Sequence, residues 1–325
     1  AGARFVGKTI TDELAFSMNG QNAHFGSPVN GAAPDRISGG SSSGSASAVS
    51  NGLCDFALGS DTGGSVRAPA NHCALVGLRP THGRISLQGV MDLAPSFDTC
   101  GWFARDVATF ARVAGVLLGA DPAPLSIGGG VRLLAPTDVW ALLSPEVLEA
   151  QRAPRARVEA VLGAAAPVEV VLDDFDAMYW SFRYLQGREA WRSDGALIDR
   201  FAPPLGPGVK DRFAWARDVS DVQVATATAF RARFRAHLAA LLGSDGVLLM
   251  PTMPDIAPLA RADEAGLEEY RNQATRLLCS AGLAGFPQLS LPLGTRLGAP
   301  LGISLLGPAG SDLSLVRLAE AIAAP

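Results

Sequence analysis

The architecture of this chain is set by residues 39–84, which contain two Gly/Ser blocks: residues 39–45 read GGSSSGS and residues 60–69 read SDTGGSVRAP. Between them, the small-residue segment 45–50 predicts a closely packed helix, and residues 54–59 (CDFALG) predict a buried strand. A chain that runs through one helix and one strand can return both blocks to the same edge of a sheet. A Gly/Ser loop between core elements is more often a site than a tether.

The second block carries elements of serine-based acyl transfer. That chemistry needs an exposed hydroxyl, a group that takes its proton, and backbone N–H donors aimed at the developing oxyanion. The run Thr62-Gly63-Gly64-Ser65 supplies hydroxyl and donors, because consecutive glycines let the backbone turn tightly at the start of the next helix. A plain strand-to-helix turn with a serine cap would give the same run. The earlier block with Ser41 favours the catalytic interpretation.

The rest of the chain alternates between strand and helix patterns, which indicates an α/β protein with a mixed sheet. Residues 3–7 predict a buried strand, and residues 9–13 predict the capped start of a helix. The least regular stretch, about 175–215, is expected to form an irregular cap that faces the substrate. Further strands are predicted at 131–135, 168–172, 247–250, 288–291 and 300–305, and helices at 106–118, 148–162, 219–242, 263–284 and 312–323.

Composition excludes several classes of protein. The 325 residues are 48% hydrophobic and 18% charged, which suits one large domain with an extensive core. The net charge is -4 and no basic cluster occurs, so we expect no nucleic-acid partner and no anionic membrane surface. The longest apolar stretches fall short of the roughly 18 to 20 residues that span a bilayer. We therefore expect a soluble chain that has no membrane partner.

Cysteine and histidine usage argues against disulfides and metal. The four cysteines lack CxxC spacing, so we expect reduced thiols and, with the acidic composition, a cytoplasmic location. The four histidines are scattered and show no HExxH pattern, so we expect no metal site.

Taken together, these motifs resemble the amidase signature family. The matching residues run from 39 to 84, including GLRPTHGR at 77–84, and continue through SFDTCGWFARD at 96–106. Residues 6–9 and 22–26 fit upstream, and LMPTMP at 249–254 with GISL at 302–305 fits downstream. The resemblance spans nearly the whole chain, is densest in residues 1–120, and is most like indole-3-acetamide hydrolases. It implies a single amidase domain with a central, twisted, mixed sheet covered by helices on both faces.

The resemblance also implies roles for individual residues. The family uses a Ser-cisSer-Lys triad, which makes Ser65 the nucleophile and Ser41 the bridging serine, preceded by a cis peptide bond. The backbone N–H groups of Thr62, Gly63, Gly64 and Ser65 would form the oxyanion hole. Ser42, Asp61 and Arg67 would hold the two loops together, although turn hydrogen bonds and a surface ion pair would also explain those three. No cofactor is implied.

The third member of the triad does not match either lysine of this chain. The family's catalytic lysine lies upstream of the element that residues 6–9 match, Lys8 matches a different position, and Lys210 falls in the expected cap. We therefore expect the lysine in an N-terminal segment that precedes these 325 residues, and the chain alone to hydrolyse amides very poorly. A truncated, inactive form is the alternative. His82 as a substitute base is disfavoured because it belongs to a Gly/Pro turn of the family pattern.

The expected function is hydrolysis of a carboxylic amide to an acid and ammonia or an amine. Small aryl or aliphatic primary amides, including indole-3-acetamide, fit the resemblance, and ureido compounds are left open. Two other functions also stay open: the glutamine-hydrolysing subunit of an amidotransferase, and a non-catalytic amidase-like domain for protein recognition. The expected partner is a small-molecule amide, and a homodimer is not excluded.

Overall fold

The computed structural model describes residues 1–126 and 130–324, in which one sheet of eight strands forms the centre of the molecule. The strand order is β1-β3-β2-β7-β8-β6-β4-β5. All neighbouring pairs from β1 to β6 along this order are antiparallel, whereas the last two pairs, β6 with β4 and β4 with β5, are parallel. The predicted mixed sheet is therefore confirmed. The strands are β1 Phe56–Ser60, β2 Val76–Arg79, β3 Cys100–Ala104, β4 Arg132–Pro136, β5 Ala166–Val168, β6 Gly246–Pro251, β7 Gln288–Arg296 and β8 Ala299–Leu306.

Both faces of the sheet centre are covered. Successive side chains of a strand point to opposite faces, and every residue of β6 and β8 is buried. The edge strands β1 and β5 are only partly buried. The layers on the two faces are built from the helices α1 Ser43–Ser50, α2 Arg67–His72, α3 Val107–Leu117, α4 Thr137–Trp140, α5 Pro145–Ala150, α6 Arg152–Leu162, α7 Phe175–Phe201, α8 Pro207–Arg217, α9 Asp221–Leu242, α10 Glu264–Ala284 and α11 Asp312–Ala323.

Most predicted elements lie where the pattern placed them. The helices α3, α9, α10 and α11 agree with the predicted ranges within about two residues. The α9 helix begins with a capping box, in which the Ser220 hydroxyl accepts from the Gln223 N–H and the Gln223 side chain accepts from the Ser220 N–H. Strong periodicity and a clear cap explain why this helix could be predicted.

The N-terminal strand prediction is wrong. Residues 3–7 have no regular structure and are exposed, with Phe5 79% and Val6 66% exposed. A strand requires a neighbour for its backbone N–H and C=O groups, and residues 3–7 pair with no strand in the described part of the chain. The predicted helix start at 9–13 is a single 3-10 turn, Glu13–Ala15.

The prediction of an irregular cap at 175–215 is also wrong, because this segment forms the helices α7 and α8. Asp174 caps α7 by accepting from the Ala177 N–H at 2.6 Å. The buried face of α7 includes Arg183, Gln186 and Asp194, so polar residues interrupt the apolar period that identifies a helix. Packing against α8, α9 and α10 stabilises α7. A local sequence pattern does not reveal such contacts between helices.

Gly187 allows α7 and α8 to pack closely, because a Cβ atom there would lie 2.5 Å from Cζ3 of Trp215. We predict that Gly187→Ala lowers the free energy of unfolding by about 1 to 3 kcal/mol through overpacking. The matched control is Gly115→Ala in the interior of α3, where a Cβ would meet nothing within 4 Å. Alanine there should raise stability by about 0.5 to 1 kcal/mol. Urea unfolding of both variants measures the contrast, and equal effects would contradict it.

Candidate active site

The two serine loops meet directly. Ser41 lies just before α1, and Ser65 lies between β1 and α2. The backbone N–H of Ser42 donates to the C=O of Ser65 at 3.3 Å. The Ser42 hydroxyl also accepts from the N–H of Ser60 at 3.1 Å and donates to the C=O of Ser60 at 3.2 Å. Ser42 therefore joins the first loop to the end of β1, as the sequence led us to expect.

Ser41 is positioned by its backbone rather than by its hydroxyl. The Gly40–Ser41 peptide bond is cis, as the resemblance implies. The C=O of Ser41 accepts from the N–H of Asp12 at 3.0 Å. Its side-chain Oγ is buried and has no hydrogen-bond partner among residues 1–126 and 130–324. This hydroxyl is therefore free to take part in a relay.

Ser65 lines a small cavity next to the sheet edge. The serine is 6% exposed, and the opposite wall comes from α7 and α10. Phe182 and Gln186 of α7 belong to the segment that the sequence analysis called a substrate-facing cap. The cavity is lined by Ala15, Phe16, Ser17, Met18, Gly63, Ser65, Phe182, Gln186, Arg271 and Thr275.

The loop before Ser65 carries backbone N–H groups without an acceptor, with one departure from expectation. The N–H groups of Thr62, Gly63 and Ser65 donate to no other group in the part of the chain that is described. The N–H of Gly64, however, donates to Asp61 Oδ1 at 2.9 Å, so it holds the loop instead of pointing at a bound oxygen. Three of the four expected oxyanion donors are thus available.

Both glycines of the loop are required by its surroundings. A Cβ at Gly63 would lie 2.7 Å from Cζ of Phe182, on the cavity wall. Gly64 has a φ of +133°, and a Cβ there would lie 2.4 Å from Cδ1 of Leu278. A larger residue at either position would strain the loop that presents Ser65.

A buried carboxylate organises this loop. Asp61 is fully buried and accepts from the N–H groups of Gly64, Val66 and Arg67. The Arg67 guanidinium binds the same carboxylate in a bidentate manner, at 3.0 Å and 2.8 Å. Burial alone would raise the pKa of Asp61, but the Arg67 and Arg79 guanidinium groups and the backbone donors hold that pKa well below its usual range. The surface ion pair considered for Asp61 and Arg67 is therefore wrong.

Arg79 is the residue of this network that the sequence analysis missed. Its guanidinium lies 3.2 Å from Asp61 Oδ1 and donates to the C=O groups of Asp61, Thr62 and Phe97. Burial lowers the pKa of Arg79 to about 10, which leaves the group charged at neutral pH. The available signal was an arginine that ends the otherwise apolar and wholly buried strand β2.

We predict that Asp61→Asn lowers the free energy of unfolding by about 3 to 5 kcal/mol, because two buried guanidinium groups lose their counter-ion. Asp245→Asn is the control, since the Asp245 pair with Arg132 is more than 40% exposed on both sides and is worth about 0.2 to 1 kcal/mol. Chemical denaturation of the two variants measures the difference. A loss for Asp61→Asn no larger than that of the control would show that the buried network does not hold the loop.

Asp12 lies against the first serine loop. Its carboxylate accepts from the N–H of Gly20 at 3.0 Å, and a Cβ at Gly40 would lie only 2.3 Å from Oδ2 of Asp12. Oδ1 is buried and has no partner among the described residues. Burial raises the pKa of Asp12 to about 6 despite the lowering effect of its hydrogen bonds. Asp12 was noted in the sequence as part of a helix start, not as a loop support.

This pKa has a stability consequence with a defined sign. A carboxyl group whose pKa is raised from 3.8 to about 6 by folding stabilises the protein fully below pH 4, and that contribution is lost as pH rises through 6. We predict that Asp12→Asn removes this dependence, so its stability relative to wild type rises by about 2 to 3 kcal/mol from pH 4 to pH 7. Denaturation series at several pH values measure the trend.

The control for this series is Asp106→Asn. The pKa of Asp106 is lowered, mainly by its hydrogen bond from the Thr109 N–H at the start of α3, so Asp106 stays ionised throughout pH 5 to 7. Its stability difference from wild type should be constant over that window. A difference between Asp12→Asn and wild type that is likewise flat would mean that the Asp12 carboxyl is ionised in the folded protein at pH 4.

The candidate bases in this chain lie elsewhere. Lys8 and Lys210 are both exposed, and neither ammonium group hydrogen-bonds to a serine loop among the described residues. His82 is exposed, and its Nε2 lies 2.8 Å from the C=O of Pro95.

The four cysteines, Cys54, Cys73, Cys100 and Cys279, carry free thiols. The described ranges hold no group of three or more His, Cys, Asp or Glu arranged for a metal ion, and no helix in them could cross a membrane.

Known amidases resemble this chain in sequence and in fold over most of its length. The family model described as Amidase matches residues 1–126 and 156–316. Amidase 1 of Arabidopsis thaliana is 38% identical over all of this chain and 83% of its own length. The chloroplastic outer envelope protein 64 of the same plant is 32% identical over 97% of this chain and 57% of its own length. A crystal structure of an amidase has a TM-score of 0.89 at 30% identity, covering 99% of this chain and 74% of that one.

Proposed function

Since the chain belongs to the amidase signature family, we propose that it hydrolyses a carboxylic amide through an acyl-enzyme on Ser65. The observation that carries the proposal is the direct junction of the two serine loops beside a cavity. There Ser65 lies next to unused backbone N–H donors, and the hydroxyl of Ser41 is unpartnered among the described residues.

The proposed reaction follows from these positions. Ser65 Oγ attacks the carbonyl carbon and passes its proton to Ser41 Oγ, which gives its own proton to a base. The oxyanion accepts from the N–H groups of Thr62, Gly63 and Ser65, and one such donor typically contributes about 2.7 to 4 kcal/mol. The C–N bond then breaks, and the leaving nitrogen takes the proton back through the relay. Water then attacks the carbonyl carbon of the ester. The acid product is released, and Ser65 regains its hydroxyl proton.

The proposal assigns the base to a neutral lysine N-terminal to residue 1. Support comes from the two lysines at hand, because Lys8 and Lys210 are exposed and bind neither serine loop among the described residues. A buried lysine can be kept neutral by desolvation, which a proton acceptor for Ser41 requires.

The substrate class that we propose is a small primary amide. Amides of aryl or aliphatic acids, including indole-3-acetamide, fit the resemblance of the sequence to indole-3-acetamide hydrolases, and ureido compounds are a wider possibility. A glutamine-hydrolysing role would require partner subunits, so purification as an obligate heteromer would favour it. A cytoplasmic location is part of the proposal and rests on composition.

A recognition domain without catalysis is the second candidate. The similarity to the chloroplastic outer envelope protein 64, whose name states no hydrolytic activity, favours it. Against it, a hydrogen bond from the Ser42 N–H to the Ser65 C=O joins the two serine loops, and the loop around Ser65 keeps three N–H donors without an acceptor among the described residues. We therefore place hydrolysis first.

We predict that the complete gene product reacts with a fluorophosphonate probe and releases ammonia from primary amides, and that Ser65→Ala abolishes both. The reason is the loss of the attacking oxygen, while a fully buried loop network keeps the fold. Labelling is read by intact mass and ammonia by a coupled assay. Residues 1–325 alone should turn over very slowly, because they supply no base.

The matched control is Ser86→Ala, which removes an exposed hydroxyl outside both loops. It should label and hydrolyse like the wild type. Turnover retained in Ser65→Ala would overturn the assignment of the nucleophile. A complete gene product that starts at Ala1 and stays unlabelled would favour the recognition domain.

A further inference from the structure

Three arginine side chains are buried together next to the Ser65 cavity. Arg183 of α7 and Arg212 of α8 are each 8% exposed, and Arg271 of α10 is 5% exposed. Arg271 lines the same cavity as Ser65, whereas Arg183 and Arg212 line an outer groove between α8 and α10. These three residues, which we call the arginine cluster, therefore border the cavity through Arg271 and the groove through the other two.

The cluster is short of negative charge. Glu268 is the one carboxylate that forms ion pairs with it among the described residues, at 2.8 Å from Arg271 and 3.5 Å from Arg212. Arg183 has no carboxylate partner there: its guanidinium donates to the Tyr179 hydroxyl at 2.9 Å. Three cations thus share one half-exposed carboxylate. Asp211 and Glu264 line the outer groove and make no ion pair with the cluster.

Two N–H donors of the arginine cluster are also unused. The Nε atoms of Arg183 and Arg271 are buried and have no partner in residues 1–126 and 130–324. The Arg183 guanidinium is held over the Trp215 ring, 4.8 Å from its centroid, which fixes the orientation of its plane. A buried cation without a counter-charge is costly, so such groups are usually paired, and an orphan at a cavity points to a ligand.

The nature of the ligand follows from the donors. A guanidinium presents a planar fork of N–H groups that fits the two oxygens of a carboxylate. Gln186, one turn beyond Arg183 on α7, and Thr275, one turn beyond Arg271 on α10, line the same cavity and add neutral polar groups. The residues of α7 and α10 that line the cavity are therefore one cation, two neutral polar groups and the Phe182 ring.

From this arrangement we propose that the arginine cluster binds a carboxylate of the substrate, so that the preferred substrate is the mono-amide of a dicarboxylic acid. The amide end lies at Ser65, and the acid end lies at Arg271, the member of the cluster that lines the same cavity. This inference rests on the proposed function, because it uses Ser65 as the nucleophile, and it narrows the range of primary amides given above.

The test compares glutaramate, a mono-amide that carries a carboxylate, with neutral pentanamide. We expect kcat/KM for glutaramate to exceed that for pentanamide by about tenfold or more, as one charge-assisted contact allows. Arg271→Gln should reduce this ratio by about tenfold, and Arg271→Lys, which keeps a charge, should reduce it less. Arg233→Gln is the control, because Arg233 is 56% exposed on α9 and pairs with Asp173 outside the cluster.

A binding measurement makes the inference independent of turnover. Calorimetry with glutarate, the acid that hydrolysis of glutaramate releases, is done on Ser65→Ala, and circular dichroism verifies the fold of each variant. We expect glutarate to bind, and adding Arg271→Gln to weaken binding about tenfold. Both measurements use the complete gene product; there, binding that depends on Arg271 without any amide hydrolysis would support the anion site and refute the proposed function. Hydrolysis that depends on Ser65, with no preference for glutaramate and no glutarate binding, would overturn the anion site alone.

Discussion

The carboxylate of Asp61, enclosed by Arg67, Arg79 and three backbone N–H groups, is the interaction on which the site depends. It joins the end of β1, the first turn of α2 and the strand β2. An ion network of this kind is not a source of large net stability, because the desolvation of each charge offsets the attraction. Its effect is geometric: the fully buried carboxylate fixes where the chain turns, and therefore where Ser65 lies.

The same interaction divides the backbone donors of the loop. Because Asp61 takes the N–H groups of Gly64 and Val66, those donors rigidify the turn and are not offered to a substrate. The N–H groups of Thr62, Gly63 and Ser65 have no partner among the described residues, and Gly63 and Ser65 line the cavity. Preorganised donors stabilise a developing charge without reorganisation when the reaction occurs. A loop whose backbone is fixed by a buried carboxylate on one side is thus suited to bind an oxyanion with its remaining N–H groups on the other side.

The sequence was informative where structure depends on local chemistry. The two Gly/Ser blocks, the capped helix α9 and the apolar strands β6 to β8 could be read from spacing alone. The sequence patterns failed to predict the conformation where contacts with residues far away in the sequence determine it. Residues 3–7 carry a strand pattern but pair with no described strand, and α7 is stabilised by packing although Arg183 and Gln186 interrupt its period. The hydrogen bond from the Gly64 N–H to Asp61 could not be predicted either, because a Gly-Gly run does not specify which N–H group points to the carboxylate.

The residues that determine the reaction and those that determine the substrate come from different parts of the sequence. The proposed nucleophile, the bridging serine and the backbone donors all come from residues 39–84, so this part of the chemistry can be predicted from one contiguous motif, whereas the proposed lysine base lies outside it. The wall that faces Ser65 comes from α7 and α10, more than a hundred residues further along the chain, and its side chains follow no common motif. Substitutions in that wall can change the charge and shape of the cavity without disturbing Asp61 or the serine loops. A motif therefore predicts the bond that is cleaved, whereas the choice of amide has to be derived from packed side chains such as Arg271.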